Sequence, residues 1–74
     1  MKETILLVDD EQQVRVHVGL TLRNAGYAVL TAGSGEEALQ TFARRRTSIA
    51  IVDAGLADLS GLELLKRWKA IAPD

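Results

Sequence analysis

Two short, uninterrupted apolar runs restrict the fold of this chain more than any other feature. They are segments 5–8 (ILLV) and 49–52 (IAIV), and a third strand candidate, segment 27–31 (YAVLT), lies between them. Apolar runs of this length without alternating polar residues are typical of strands buried on both faces, as in a parallel sheet covered by helices. Since parallel strands require crossover connections, the segments between the runs are expected to be helical.

The first connecting segment, residues 11–25, has the period of an amphipathic helix. Apolar residues recur on one face at positions 14, 18, 22 and 25. Several residues of the segment, among them an internal Gly19, have poor helix propensity, so periodicity must outweigh propensity here. Gly26 supplies a favourable C-terminal stop.

Two further helices are predicted from capping-box spacing. Ser34 precedes Glu37 by three residues, and Ser60 precedes Glu63 in the same way. The second helix is expected to start near Gly35, and the third to run to about residue 71. Their predicted inner faces consist of Ala38, Leu39 and Phe42, and of Leu64, Leu65, Trp68 and Ile71. The order βαβαβα predicts an α/β fold with a doubly wound parallel sheet.

Composition narrows the class of protein. The chain has 74 residues, a net charge of -1, no Cys, 47% hydrophobic residues and 26% charged residues. This predicts one small folded domain with a marginal core. The balanced charge gives no nucleic-acid or membrane footprint. The apolar run after Met1-Lys2-Glu3 is too short for a signal peptide or a membrane span, and we predict a cytoplasmic protein.

Acidic residues follow two of the predicted strands. Asp9 and Asp10 come directly after the first strand, and Asp53 follows the third. In parallel sheets the carboxyl ends of the strands form the usual ligand site, so these carboxylates are expected to share one edge. Clustered carboxylates suit Mg²⁺, which binds a few carboxylates together with water and phosphate oxygens. A carboxylate can also act as a nucleophile toward phosphorus.

Several polar residues also have a purely structural interpretation. Asp10 could instead cap the first helix, and Glu11 is a favourable acid for its first turn. His17 falls in mid-helix, where a structural role is expected. The arginines at 44–46 are interpreted as a solvated helix end rather than a phosphate or partner patch.

The motifs together resemble the receiver domain of bacterial two-component response regulators, in its N-terminal portion only. "ILLVDDE" is similar to that family's first strand and acidic pair, and "AGYAVLTAGSGEEAL" to its second strand and second helix entry. "IAIVDAGLADLSGLELLKRWK" is similar to its phosphoacceptor strand, loop and third helix. The resemblance spans residues 1–74 in family order. It implies a flavodoxin-like receiver fold, truncated to βαβαβα, with strand order 2-1-3.

The resemblance also implies roles for individual residues. Asp53 would be the phosphoacceptor, and the phosphoryl donor would be a phosphohistidine of a sensor histidine kinase. Asp10 would ligate Mg²⁺ directly, Asp9 would assist through a bound water, and Asp53 and the backbone carbonyl of Gly55 would complete the protein ligands. The implied function is phosphorelay signal transduction by a module that is not an enzyme.

The chain departs from the family pattern in the loop after Asp53. Leu56-Ala57 stands where the family usually has Met-Pro, and Leu59-Ser60-Gly61 where it has Met-Asp-Gly. Without proline, φ at Ala57 is free, and a less rigid loop is expected. Trp68 replaces a usual aliphatic residue, which predicts altered packing or a contact surface on the third helix.

The chain is also shorter than a receiver of five strands and five helices. The Ser or Thr of strand four and the Lys of strand five, which contact the phosphoryl group in the family, would lie beyond the third helix. The third strand would then form an apolar open edge, which invites pairing with another chain. We therefore expect either a fragment of a longer protein or an obligate homo-oligomer joined through that edge.

Two alternative functions follow from the same residues. In the first, the half-domain is an oligomerising interaction fragment without efficient phospho-switching. In the second, it is a phosphatase-type hydrolase with an Asp nucleophile. Such hydrolases usually carry a second Asp two residues after the nucleophile, but Asp53 is followed by Ala54 and Gly55, which disfavours that alternative.

Overall fold

The computed structural model describes residues 3–53 and 55–71. Strands and helices alternate in the order β1 (Thr4–Val8), α1 (Gln12–Asn24), β2 (Ala28–Ala32), α2 (Gly35–Arg44), β3 (Ile49–Val52) and α3 (Gly61–Ile71). All six predicted elements are present, and no observed boundary differs from the predicted one by more than one residue. Ala54, which the sequence places beside the candidate phosphoacceptor, lies outside the described residues.

The three strands form one parallel sheet with the order β2-β1-β3. In its register, Ile5 of β1 lies opposite Val29 of β2 and Ile49 of β3. A strand order that changes direction after β1 is that of a doubly wound sheet, so the predicted fold class and strand order are confirmed.

The main core lies between the sheet and the two helices α2 and α3. Its buried residues come from both strands and helices, and from one loop. They are Leu6, Val8, Ala32, Ala38, Phe42, Leu56 and Leu64. Phe42 of α2 and Trp68 of α3 stack with ring centroids 4.3 Å apart and an interplanar angle of 1°. Trp68 therefore joins the two helices, which accounts for a ring at a position where an aliphatic residue was expected.

The opposite face of the sheet is covered less completely. Helix α1 packs on β1 and β2, and its buried Gly19 lies near Val29, whose Cγ1 would be at an ordinary contact distance of 3.9 Å from a Cβ at position 19. The prediction that β3 is buried on both faces is wrong for the described residues. Ile49 is 43% exposed and Ile51 is 41% exposed, because α1 lies over the other two strands.

The third helix is also less buried than its sequence predicts. Leu64 is almost fully buried and Trp68 partly so, but Leu65 and Ile71 are each 44% exposed. Leu65 borders a shallow apolar groove with Ala50 of β3. Leu65 of α3 thus lies on the same face of the sheet as Ala50, whereas Ile49 and Ile51 lie on the opposite face, because side chains alternate along a strand.

Hydroxyl caps start two of the helices as predicted. Ser34 Oγ accepts a hydrogen bond from the Glu37 N–H, and Ser60 Oγ accepts one from the Glu63 N–H, both at 3.1 Å. The return bonds differ from the standard capping box. Glu37 Oε1 accepts from the N–H of Gly33 rather than Ser34, and Glu63 Oε2 accepts from Arg67 Nε.

The ends of α1 correct two smaller predictions. The N-cap residue is Glu11, with no side-chain cap bond. Asp10 therefore does not cap this helix, and Glu11 precedes its first turn instead of lying within it. Gly26 follows the helix with φ of 102°, a conformation that favours glycine. No helix in the described part of the chain is long and apolar enough to cross a membrane.

Candidate functional site

Backbone hydrogen bonds carry the sheet one residue beyond the ends of β1 and β3. The Asp9 N–H donates to the carbonyl of Ala32 at 3.1 Å, and the Asp53 N–H donates to the carbonyl of Val8 at 2.9 Å. These bonds place both aspartates at the carboxyl edge of the sheet, where ligands bind to folds of this kind. The parallel pairing of β1 with β3 is therefore the reason why acids distant in sequence meet.

Three carboxylates converge at this edge. One side-chain oxygen each from Asp9, Asp10 and Asp53 lies within 4.8 Å of the other two. Asp9 and Asp53 are half-buried and Asp10 is exposed. Among residues 3–53 and 55–71, none of the three forms an ion pair with Lys or Arg. A cluster of carboxylate oxygen donors fits a hard divalent cation such as Mg²⁺.

Local hydrogen bonds orient two of the carboxylates. Asp9 Oδ1 accepts from the Glu11 N–H at 2.9 Å, and Asp53 Oδ1 accepts from the Gly55 N–H at 3.1 Å. Each of these carboxylates thus has its Oδ1 held by the following loop, and within residues 3–53 and 55–71 its Oδ2 accepts no hydrogen bond. Gly55 is the residue whose carbonyl is predicted to be a metal ligand, and this hydrogen bond holds it beside Asp53.

Arg15 contributes to the site in a way that sequence reasoning missed. Its Nη1 donates to the backbone carbonyl of Asp9 at 2.6 Å. The same guanidinium would lie 3.1 Å from a Cβ at Gly33, so it also lies against the loop that follows β2. Arg15 therefore places a positive charge behind the acidic cluster. Because the partner is a backbone carbonyl, no residue pattern in the sequence indicates this contact.

The loop after Asp53 is anchored at several points. Leu56 is buried in the main core, and Leu59 packs against it. Asp58 accepts hydrogen bonds from the N–H groups of Gly35 and Glu36, each at 2.9 Å. These two hydrogen bonds lower the pKa of the Asp58 carboxyl from its ordinary value of 3.8, and the bond from Glu36 has the largest effect. The contact joins residues more than twenty positions apart, and no residue pattern in the sequence predicts it.

The remaining polar candidates do not join the cluster. His17 is exposed on α1, and its carbonyl accepts a hydrogen bond from Thr21 Oγ1 at 3.1 Å. Among the arginines at 44–46, Arg44 is the last residue of α2, and all three are exposed. Their placement agrees with the interpretation as a solvated helix end.

A doubly wound sheet in the order 2-1-3 with clustered acids at its carboxyl edge defines the class of receiver-type signalling modules. Comparison with known families gives the same assignment. The sequence profile described as "Response regulator receiver domain" matches residues 5–74, and the chain belongs to that family.

Individual relatives and solved structures agree with this assignment. The chain is 36% identical over 70 residues to the probable transcriptional regulatory protein TcrX of Mycobacterium tuberculosis, covering 95% of this chain and 30% of that protein. It is 32% identical to sporulation initiation phosphotransferase F of Bacillus subtilis, covering 96% of this chain and 57% of that protein. Chemotaxis protein CheY4 of Vibrio cholerae, at 34% identity, superposes with a TM-score of 0.91, covering 95% of this chain and 58% of that one.

A receiver domain protein from Methanospirillum hungatei superposes with a TM-score of 0.93 at 29% identity, covering 99% of this chain and 58% of the other. The chain therefore spans less than two thirds of the length of these relatives, and what it shares with them is the N-terminal portion of the receiver.

Proposed function

We propose that the chain takes part in phosphorelay signal transduction by accepting a phosphoryl group on Asp53 in a Mg²⁺-dependent reaction. The donor would be a phosphohistidine on a sensor histidine kinase. The observation that carries the proposal is the meeting of the carboxylates of Asp9, Asp10 and Asp53 within 4.8 Å at the carboxyl edge of the sheet. Membership of the receiver family supports the same reaction class.

The chemistry follows from the position of Asp53. Its free carboxylate oxygen attacks phosphorus, a new O–P bond forms, and the P–N bond to the donor imidazole breaks. The leaving imidazole takes a proton from water, and the product on this chain is an acyl phosphate. The main chain supports the attack geometry, because the Gly55 N–H holds Asp53 Oδ1 and leaves Oδ2 to react.

A divalent ion would be held by Asp10 and Asp53 directly, by Asp9 through water, and by the carbonyl of Gly55. When bound, Mg²⁺ supplies charge neutralisation for the carboxylates and the transferred phosphoryl oxygens. Since like charges this close disfavour one another, addition of a further anionic group to the cluster without a cation is unfavourable.

Metal removal is the experiment that tests this proposal. We expect the purified chain to gain the mass of one phosphoryl group when incubated with acetyl phosphate and Mg²⁺, as measured by intact mass spectrometry. Chelation with EDTA should slow labelling at least about a hundredfold, because the ion supplies several kcal/mol of charge stabilisation. The Glu3→Gln variant, altered at an exposed carboxylate before β1, should label like the wild type. Equal labelling with and without Mg²⁺ would contradict the proposal.

We propose further that the module is cytoplasmic and acts in signalling rather than as an enzyme. Family membership supports this, since receiver domains act as phosphorylated signalling modules. The residues 1–74 would then form the N-terminal part of one receiver domain, with no direct contact to nucleic acid or membrane.

A second candidate function rests on the exposure of β3. Within the described residues β3 pairs only with β1, and Ile49 and Ile51 are more than 40% exposed. An apolar strand at a sheet edge pairs readily with another chain, so we propose that two copies associate through β3. Light scattering should then give a mass that rises with concentration, and Ile51→Lys should reduce it while Leu62→Lys on α3 should not. A monomer at all concentrations, with cooperative unfolding, would contradict this candidate.

A further inference from the structure

Asp58 links the phosphoacceptor loop to a helix distant in sequence. Its Oδ1 accepts from the Gly35 N–H and its Oδ2 from the Glu36 N–H, each at 2.9 Å. Both donors belong to the first turn of α2, where N–H groups lack partners within the helix. One carboxylate therefore supplies acceptors for two of these groups from across the structure, while Ser34 supplies a third.

Apolar packing reinforces the same junction. A Cβ at Gly35 would lie 2.7 Å from Leu59 Cδ1 and 2.9 Å from Leu59 Cβ, so the loop contacts the helix backbone directly. Glu36 also pairs with Arg67 of α3 at 3.3 Å. The start of α2 is thus held against both the loop and the helix that follows it.

The loop lacks the local restraint that proline would give. Ala57 is exposed, and in the described part of the chain its N–H takes part in no hydrogen bond. Because alanine lacks the ring by which proline fixes φ, the residue type at position 57 does not restrict this angle. The restraint on residues 56–59 comes from the burial of Leu56, the packing of Leu59 against the core and the two hydrogen bonds of Asp58.

We infer that Asp58 is a positioning residue for the metal and phosphoacceptor site, because it fixes the loop that carries Gly55 against the start of α2. Gly55 lies three residues before Asp58, and its N–H holds Oδ1 of Asp53. If the loop moves, both this hydrogen bond and the Gly55 carbonyl move with it. The inference rests on the proposed function, since it assigns to Asp58 control over the affinity of that site for Mg²⁺.

The charge of Asp58 suits this role. Hydrogen bonds from the backbone of Glu36 and Gly35 favour the ionised carboxylate and lower its pKa, and the positive end of the α2 dipole has the same effect. The facing charged groups are Glu36 and Arg67, which pair with each other. Since the folded-state pKa is depressed, the stabilisation is complete above the ordinary value of 3.8 and is lost as pH falls through the lowered value.

Mg²⁺ affinity measured by isothermal titration calorimetry tests the inference. We expect Asp58→Ala to raise the Kd for Mg²⁺ about tenfold, which is typical for loss of a group that orients a metal ligand. Asp58→Asn keeps the side-chain shape but loses the charge and one acceptor, and it should give a smaller increase. Glu3→Ala, which removes an exposed carboxylate elsewhere, should leave Kd unchanged.

Rescue by proline separates positioning from lost charge. Adding Ala57→Pro to Asp58→Ala restricts the loop without restoring the carboxylate, and it should recover most of the lost affinity. In addition, the difference in Tm between the wild type and Asp58→Asn should stay constant from pH 7 down to about 3.8 and shrink as the pH is lowered further. If Asp58→Ala binds Mg²⁺ like Glu3→Ala, or if Ala57→Pro restores nothing, the inference is wrong.

These outcomes are distinct from failure of the proposed function. A wild type that binds Mg²⁺ but takes no phosphoryl group would overturn phosphoacceptance and leave the role of Asp58 to be decided by the variants. A wild type that binds no Mg²⁺ would overturn both. A wild type that binds Mg²⁺ and is labelled, together with an unaffected Asp58→Ala variant, would overturn only the positioning role.

Discussion

Replacement of Asp53 by Asn is expected to abolish phosphoryl incorporation from acetyl phosphate and Mg²⁺. The amide has the size of the carboxylate but is a poor nucleophile, and it forms no acyl phosphate. The change also removes one of the three carboxylates of the proposed cation site. Intact mass spectrometry of the variant should therefore show no phosphorylated species under conditions that label the wild type.

The neighbouring acids provide the matched controls for this prediction. Asp9 and Asp10 lie within 4.8 Å of Asp53, so either could in principle take the label. We expect Asp9→Asn and Asp10→Asn to be labelled more slowly, because each weakens the cation site, and peptide mapping should locate the label on Asp53 in both. Label retained by Asp53→Asn, on any residue, would contradict the assignment of the phosphoacceptor.

Replacement of Leu64 by Ala is expected to unfold a large fraction of the protein. The side chain is 1% exposed and belongs to the main core shared by the sheet, α2 and Leu56 of the loop that follows Asp53. Truncation of a buried Leu costs about 2–5 kcal/mol, and a domain of this size has little more than that to lose. Urea denaturation followed by circular dichroism should show a sharply lowered midpoint.

The same helix offers a control with the same chemical change. Leu62 is 64% exposed, and its replacement by Ala should alter the free energy of unfolding by no more than about 0.5 kcal/mol. The two variants differ only in burial. Equal destabilisation by Leu62→Ala and Leu64→Ala would mean that α3 does not pack as described.

The sequence predicted the elements because each has a strong local signal. Apolar runs located β1 and β3, and the serine caps at Ser34 and Ser60 located the starts of α2 and α3. It also predicted that Asp9, Asp10 and Asp53 would share one edge, since strand direction alone determines which ends meet. The order of the strands came from the family resemblance and not from the residues themselves.

Burial across the sheet was predicted less well, because it depends on what covers each strand. Ile49 and Ile51 have the composition of a buried strand, yet α1 lies over β1 and β2, and both side chains remain exposed in the described structure. The run of apolar residues shows that a strand can be buried, but it does not show which helix covers it.

Contacts of side chains with backbone groups elsewhere in the chain were not predictable at all. Asp58 accepts from backbone N–H groups of α2, and Arg15 donates to the backbone carbonyl of Asp9. Every residue except proline carries such an N–H, and every residue a carbonyl, so no residue type at the partner position signals the contact. The missing proline at Ala57 indicated a looser loop, and only the folded structure reveals what restrains it instead.

The stacking of Trp68 on Phe42 makes the intrinsic tryptophan fluorescence a measure of local packing. Trp68 is the single tryptophan of the chain, and its ring lies against α2 on one side of the sheet only. Its fluorescence therefore reports the separation of α2 from α3, whereas far-ultraviolet circular dichroism averages over all three helices. Unfolding curves from the two methods coincide only if α1, on the opposite face, is released in the same cooperative step.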